Sequence, residues 1–284
     1  HQLSNSDTIT GDKVNKVELL APAGHMDALI GAINSGAQAI YLSGERYGAR
    51  AFAGNFTKEQ IIEAIHFAHL RGVLIYVTIN TLIYNDEVDD FLAYTDFLVE
   101  AGVDALIVQD FGMMDLLCGR YPNTDIHAST QSNSYHMDQV RFLKSIGVKR
   151  VVLARETPIE VIRHIKENVD IELEVFVHGA LCVSYSGQCL FSSLQGGRSG
   201  NRGQCAQPCR LPYTLLKNEE VESDEAYLLS TKDLMTIERL HELIDIGVDS
   251  LKIEGRMRKE TYVIQSVLSY RKAIDQKDAF DVEL

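Results

Sequence analysis

Four of the five cysteines lie within 28 consecutive positions of the chain. Six residues separate Cys182 from Cys189, fifteen separate Cys189 from Cys205, and three separate Cys205 from Cys209. Thiolates grouped in this way bind iron-sulfur clusters or zinc. Structural zinc sites usually have about two to four residues between paired ligands, and the six-residue gap does not match that pattern. The spacing favours a cluster and leaves zinc as the alternative.

The segment around these cysteines has no carboxylate. Residues 175–218 include no Asp or Glu, although the chain has 40 acidic residues against 27 basic ones and a net charge of -13. Such an acidic chain is not a general nucleic-acid coat protein. Within the segment, Arg198 and Arg202 belong to the glycine-spaced run GGRSGNRG, which could form a backbone nest for phosphate or a flexible lid. We expect this segment to meet anions.

The rest of the chain alternates short β-rich runs with amphipathic helical runs, a pattern typical of parallel strands joined by crossover helices. Eight such units in about 260 residues predict an α/β fold, a TIM-type eight-stranded (β/α) barrel. An open, doubly wound sheet is the alternative. The predicted strands are 17–21, 39–43, 74–80, 105–109, 126–130, 150–154, 172–178 and 250–254. The predicted helices lie near 25–35, 58–71, 86–101, 111–120, 136–146, 157–168, 236–246 and 259–276.

One loop of the predicted barrel is much longer than the others. It follows the seventh strand and runs over residues 179–235, with a hairpin expected from LPYTLL and AYLLS around KNEE. Because barrel active sites are built from the loops that follow the strands, this cysteine-rich insertion should cover the active-site mouth. We expect residues 1–16 to be a polar tail or a remnant of cloning, and 17–284 to form the barrel domain with 179–235 as its metal-binding insertion.

Strand alternation predicts a ring of polar side chains inside the same end of the barrel. Guanidinium groups such as Arg155 suit a carboxylate or phosphate ligand. Glu174 and His178 share a face of the seventh strand and are the candidate catalytic residues for proton transfer. The alternative for every member is an internal hydrogen-bond network. The substrate-binding candidates are Asn80, Gln109, Ser129, Gln131, Arg155, Lys252, Glu254 and Arg256, with Arg198 and Arg202 from the insertion.

The motifs in the cysteine segment resemble those of a known family. The run EVFVHGALCVSYSGQCLFSS, followed by RSGNRGQCAQPCR, STKDL and SLKIEGRM, closely resembles peptidase family U32, the collagenase-like proteins, and the resemblance extends from ELLAPAG over nearly the whole chain. It implies an oxygen-independent hydroxylation enzyme with a 4Fe-4S cluster and prephenate as the cosubstrate. The cluster ligands that it implies are Cys182, Cys189, Cys205 and Cys209.

The resemblance implies hydroxylation of RNA, and 5-hydroxyuridine at the tRNA wobble position is the product that we favour. Ribosomal RNA or a quinone precursor is an alternative substrate. A collagenase-like peptidase is a second reading, although the chain has neither a His-Glu-x-x-His helix nor a Gly-x-Ser-x-Gly elbow. A zinc-stabilised binding module is a third. Longer relatives continue into a C-terminal domain, which we expect to be absent here.

The expected partners are tRNA and a small anionic cosubstrate, with a homo-oligomer or an oligomer with a related family member as a further possibility. No apolar run approaches the length that crosses a bilayer, and the N-terminus lacks the organisation of a signal peptide. We expect no membrane association and a cytoplasmic location. The fifth cysteine, Cys118, falls on a predicted helix among apolar neighbours and should be a small core residue.

Overall fold

The computed structural model describes residues 17–50 and 54–276, and within these ranges eight parallel strands close into a barrel. The eight strands pair in the order in which they occur in the chain, and the last pairs back to the first to complete the circle. Closure confirms the TIM-type prediction, and each strand begins and ends within two residues of its predicted bounds. The barrel strands are β1 (Glu18–Pro22), β2 (Ala39–Leu42), β3 (Leu74–Ile79), β4 (Ala105–Val108), β5 (Asp125–Ala128), β6 (Arg150–Val152), β7 (Glu172–Gly179) and β11 (Ser250–Ile253).

The helices pack around the barrel because each buries an apolar stripe against the strands. In α2, for example, the buried residues Ile61, Ala64, Ile65 and Ala68 recur at helical spacing, and Thr57 with Gln60 forms a capping box at its start. The helices are α1 (Met26–Asn34), α2 (Lys58–His69), α3 (Val88–Ala101), α4 (Phe111–Arg120), α5 (Met137–Ser145), α6 (Ile159–Asn168), α7 (Phe191–Gly196), α8 (Leu240–Ile246) and α9 (Glu260–Asp275).

The helix predicted at 236–246 is shorter in the structure, because its first turn is the 3-10 helix Ile237–Arg239 and α8 begins only at Leu240. Glycines end several helices as expected. Gly102 after α3 has a φ of 94° and Gly247 after α8 has a φ of 87°, a left-handed conformation that other residues adopt at a cost. These turns direct the chain into β4 and β11.

The barrel interior is polar at both ends and apolar in the middle. A small inner apolar cluster includes Leu20, Tyr41, Tyr76 and Ile107, whereas the large core lies between strands and helices. Near the amino ends of the strands, Arg150 donates to Glu18 at 2.7 Å. In barrels of this type the ligand-binding face lies at the carboxyl ends of the strands.

The insertion lies between β7 and β11 and contains α7, the hairpin β8 (Tyr213–Lys217) and β9 (Glu220–Ala226), and the short strand β10 (Leu234–Met235), which pairs antiparallel with β7. The predicted hairpin is confirmed in its first strand. Its second strand was assigned wrongly, because EVESDEA forms β9 and AYLLS falls mostly in the turn that follows. Asn218 and Glu219, both with positive φ, make the tight turn immediately after Lys217. In the described part of the chain, no helix is long and apolar enough to cross a membrane.

Candidate functional site

Seven of the ten substrate-binding candidates line one cavity at the carboxyl ends of the barrel strands. The cavity is small, about 30 Å³. Its polar and charged walls come from β3, β11 and the loops after β5 and β6, whose ends meet because the strands are parallel and closed into a barrel. The seven residues are Asn80, Ser129, Gln131, Arg155, Lys252, Glu254 and Arg256.

One wall of this cavity is a hydrogen-bonded chain of neutral groups. Asn80 accepts from the Ala49 backbone N–H at 3.0 Å and donates to the Ser129 hydroxyl at 3.1 Å. The same hydroxyl oxygen accepts from the backbone N–H of Gln131 at 3.2 Å. Gln109 lies beside this chain and donates to the Gln131 carbonyl at 3.5 Å, while its Oε1 is buried without a partner among the described residues. That oxygen is an acceptor left for a ligand or water.

The opposite wall is positively charged. Arg155 donates to Glu254 at 3.2 Å, and both side chains are at most 15% exposed. Arg256 is buried and donates to the Thr78 hydroxyl at 3.1 Å. Burial alone would raise the pKa of the Glu254 carboxyl, but the nearby charges of Arg50, Arg155 and Arg256 hold that pKa below its ordinary value. Three guanidinium groups therefore face one ionised carboxylate, and the surplus positive charge suits an anionic ligand.

Aromatic rings orient these cations. The Arg155 guanidinium carbon lies 4.0 Å from the centre of the Phe176 ring, and Lys252 Nζ lies 4.2 Å from the centre of the Tyr41 ring. Tyr41 donates its hydroxyl to the Ile253 carbonyl at 2.9 Å, and burial raises its pKa well above the ordinary value. Tyr41 is therefore a neutral hydrogen-bond donor and part of the scaffold of the mouth.

Glu174 lies below the cavity rather than in its wall. Its carboxylate has no exposed surface and accepts from Lys252 Nζ at 2.7 Å and from Arg150 at 3.2 Å. The ion-pair partner of Lys252 is therefore Glu174 of the neighbouring strand. This arrangement neutralises both charges inside the barrel. A catalytic role for Glu174 stays a prediction.

His178 does not share the inner face with Glu174, so that part of the sequence prediction is wrong. The register of β7 against β11 shifts between Lys252 and Ile253, so two residues of β7 span one step of its neighbour. The bulge reverses the alternation, and the His178 ring lies 5.7 Å from Tyr262 and 5.5 Å from Tyr270 of α9. Burial lowers the pKa of His178 below its ordinary value. Its catalytic role is untested, but the imidazole packs against a helix.

The cysteines of the insertion gather beside the barrel mouth. Cys182, Cys205 and Cys209 line a recess of about 120 Å³. Cys189 lies next to them, because Cys189 and Cys205 border the same residue, Gly200. A Cβ built on Gly200 would stand 3.7 Å from the Cys205 Cβ and 3.9 Å from the Cys189 carbonyl oxygen. Burial raises the pKa of Cys209, and the charges of the other three thiols add to this while Arg210 opposes it. The sequence-predicted set of four is therefore brought together.

Short turns of the insertion hold the cysteines in place. Cys209 belongs to the 3-10 turn Pro208–Arg210, and Arg210 donates to the carbonyls of Leu181 at 2.6 Å and Thr231 at 2.7 Å. The Cys205 sulfur accepts from the Gln207 backbone N–H at 3.4 Å. In the described residues, no group of three or more His, Cys, Asp or Glu side chains forms a site for a metal ion.

Arg202 docks the insertion on the barrel, and Arg198 bonds within the insertion. Arg202 binds both carboxylate oxygens of Glu87, at 2.8 and 2.5 Å, and its guanidinium carbon lies 4.4 Å from the centre of the Tyr84 ring. Arg198 donates to the Gln204 carbonyl at 3.0 Å. Both residues lie outside the lining of the mouth cavity, and the phosphate nest proposed for them stays a prediction.

Arg50 is a site residue that sequence reasoning missed. It lines both the cysteine recess and the mouth cavity, as does Ala49. The signal available was its position, because the run YGARAF follows the second strand and so belongs to a loop at the mouth. Strand alternation did not indicate it, because Arg50 lies eight positions beyond Leu42, the last residue of β2. Its guanidinium joins the two halves of the site.

Comparison with known proteins agrees with this architecture. Residues 24–281 match the model of Peptidase family U32. The chain belongs to peptidase family U32. A solved structure of the U32 peptidase Mk0906 matches this U32 chain with a TM-score of 0.56 and 13% identity, over 89% of this chain and 95% of that one. At that identity the likeness supports the shared fold alone.

Curated relatives of this U32 chain have names that point to different activities. It is 42% identical over 279 residues to tRNA hydroxylation protein P1 of Bacillus subtilis, covering 95% of this chain and 66% of that protein. It is 45% identical over 264 residues to the 23S rRNA 5-hydroxycytidine C2501 synthase of Escherichia coli, covering 92% and 40%. A Collagenase of Porphyromonas gingivalis is 34% identical over 277 residues, covering 92% and 66%. The chain thus spans less than two thirds of the length of these relatives.

Proposed function

We propose that this U32 chain is the barrel of an iron-sulfur-dependent RNA hydroxylase that works without molecular oxygen. Relatives named for tRNA hydroxylation and for 5-hydroxycytidine in 23S rRNA support an RNA-modifying enzyme. In this proposal tRNA is the substrate, 5-hydroxyuridine at the wobble position is the product, and prephenate is the cosubstrate. One observation carries the proposal: the cysteine recess and the arginine-lined mouth have Ala49 and Arg50 as a common wall.

The donor set beside the mouth is four cysteine thiols, soft ligands that fit a 4Fe-4S cluster. Three of them line one recess, and a backbone N–H donates to the Cys205 sulfur. Such hydrogen bonds tune cluster potentials. Cys182, Cys189, Cys205 and Cys209 would hold the cluster, which would supply redox chemistry beside the mouth.

The barrel mouth suits an anionic cosubstrate such as prephenate, which carries two carboxylates. Arg155 and Arg256 offer planar donor pairs on the same wall, and Arg50 lies between them and the cysteine recess. A ligand carboxylate would take the place of Glu254 as the partner of Arg155. Because the cavity is only about 30 Å³, binding requires these side chains to move apart. The Arg155–Glu254 ion pair is the contact that must open.

A cysteine peptidase is the less favoured candidate. It would need an imidazole close to a nucleophilic thiol, and the nearest histidine in sequence, His178, instead packs against Tyr262 and Tyr270. Hydroxylation of ribosomal RNA or of a quinone precursor would use the same cysteine recess and the same cationic mouth. These two alternatives differ from the favoured one in substrate alone. A homo-oligomer, or an oligomer with a related family member, stays a prediction.

Mass spectrometry of nucleosides from cells that lack this protein tests the proposal. The expected result is the loss of 5-hydroxyuridine from tRNA, restored by the intact gene and not by a gene with Cys205→Ser. The matched control is Cys118→Ser, which changes the cysteine outside the recess. Unchanged hydroxyuridine in tRNA together with loss of a hydroxylated nucleoside from ribosomal RNA would transfer the proposal to that substrate. Anaerobically purified protein without iron would refute the cluster.

A further inference from the structure

A groove leads from solvent to both halves of the site. Its volume is about 560 Å³, within the range of ~300–1,000 Å³ typical of small-molecule sites. One side consists of Arg155 and Glu156, and the other is the segment 181–186. Arg155 also lines the mouth cavity, and Cys182 also lines the cysteine recess. A ligand in this groove would touch the walls of both.

The segment that forms the outer side of the groove is fixed at both ends. At one end the Leu181 carbonyl accepts from Arg210 at 2.6 Å and from the Thr231 hydroxyl at 2.7 Å. At the other end the Ser186 backbone N–H and hydroxyl each donate to Glu156 at 2.9 Å. Glu156 is the acidic residue of the groove, and its carboxylate is thereby occupied. Hydrogen bonds therefore fix the segment at Leu181 and at Ser186.

Gly187 extends the second anchor. Its φ is 72°, and a Cβ built there would stand 1.9 Å from the Gln131 carbonyl oxygen, so only glycine allows this approach of the insertion to the loop after β5. The segment 181–186 is consequently positioned relative to the barrel mouth as well as to the cysteines. Because the backbone of this segment is already positioned, a ligand that binds to its side chains costs little conformational entropy of the backbone.

Two large side chains between the anchors are exposed to solvent. Tyr185 is 68% exposed and Val183 is 45% exposed. Tyr185 follows Cys182 by three residues, which limits the distance between their Cα atoms to roughly 11 Å. No Asp or Glu occurs in residues 175–218, so this part of the chain does not repel phosphate groups. An exposed aromatic ring at the rim of a groove without free carboxylates suits a base splayed out of single-stranded RNA.

We infer that Tyr185 is the stacking platform for the target base of a single-stranded RNA loop, which occupies the groove between Arg155 and the segment 181–186. The inference rests on the proposed function, since it names how that site would hold its RNA. Stacking on Tyr185 brings the base next to Cys182 and Arg155 without any change in the backbone of the segment. Because every base has a π face, this contact holds the base in place and does not select its identity.

Binding of two RNA hairpins tests the inference. One carries uridine at the target position of the loop, the other is identical except for an abasic site there, and affinities are measured by fluorescence anisotropy under anaerobic conditions at fixed salt. Tyr185→Ala should weaken binding of the uridine hairpin about 5- to 150-fold, the range that loss of one stacked base produces. Tyr185→Phe, which keeps the ring, should bind within about twofold of the unchanged protein.

The abasic hairpin supplies the decisive comparison. The unchanged protein and Tyr185→Ala should bind it equally, because the partner of the ring is missing. Tyr227→Ala is the matched control, since Tyr227 is 66% exposed and lies outside the groove, and it should bind both hairpins like the unchanged protein. Equal affinity of Tyr185→Ala and the unchanged protein for the uridine hairpin overturns the stacking inference alone. An unchanged protein that binds neither hairpin overturns the inference and counts against RNA as substrate.

Discussion

Replacing Glu174 by Gln should destabilise the barrel strongly, because this carboxylate is the buried partner of two cations. It accepts from Lys252 at 2.7 Å and from Arg150 at 3.2 Å and has no exposed surface. Arg150 keeps Glu18 at 2.7 Å and Glu172 at 2.9 Å after the substitution. Lys252 keeps no ion-pair partner among the described residues. The damage should therefore fall on Lys252.

The size of the effect follows from burial. Removing one partner of a buried ion pair costs about 3–5 kcal/mol of unfolding free energy, because the other charge is left uncompensated away from water. At about 2–4 °C per kcal/mol for a domain of this size, the unfolding temperature should fall by roughly 6–20 °C. By contrast, Glu242→Gln in the exposed pair with Arg239 should leave the unfolding temperature almost unchanged, because water and salt screen that pair. The two variants differ chiefly in burial, so their comparison isolates its effect.

Urea unfolding and calorimetry at several pH values provide the assay. Burial lowers the pKa of Lys252, with Glu174 opposing the shift, so in the variant that pKa should fall further. A lysine whose pKa is lower in the folded state than in the unfolded state makes stability rise with pH, so the loss should shrink as the pH rises towards the ordinary lysine pKa of about 10.4. Glu174→Gln combined with Lys252→Met should recover part of the stability. A single variant as stable as the unchanged protein, but inactive, would refute this reasoning and favour catalysis by Glu174.

Three further predictions concern the cysteine recess, the docking of the insertion and a buried histidine. Serine at Cys182, Cys189, Cys205 or Cys209 should remove iron and visible absorption from anaerobically purified protein, whereas Cys118→Ser should retain both. A series of variants in which only one of the four cysteines is necessary would contradict the cluster. Arg202→Ala and Glu87→Gln should each increase proteolytic cleavage within the insertion, and the double variant should add little to either, because they remove the same ion pair. Burial, with the charges of Arg150 and Lys252, lowers the pKa of His127 well below its ordinary value. The stability that the neutral imidazole contributes should therefore be fully present above about pH 6.5 and be lost as the pH falls towards the folded-state pKa. Unfolding measured at several pH values should show a flatter dependence for His127→Asn.

Much of the fold could be read from local patterns. Helix stripes, glycine stops and β-rich runs depend on neighbours within a few residues, and for that reason all eight barrel strands were placed to within two residues. Closure was harder, because periodicity describes the face of a strand and not its partner. The bulge in β7 was invisible for the same reason, and it turned His178 towards Tyr270. The hairpin strand at AYLLS was misplaced because the turn at Asn218 is tighter than the polar run KNEE indicated.

The sequence by itself determined the strands and helices and the position of the cysteine-rich insertion, since each is encoded by residue type and short-range spacing. Which charges neutralise one another was decided only by the tertiary structure. Lys252 bonds to Glu174, Arg202 bonds to Glu87, and Arg50 joins the mouth from a loop that carried no motif. These pairings link residues far apart in the chain, and their strength depends on burial and distance, which exist only once the barrel has closed.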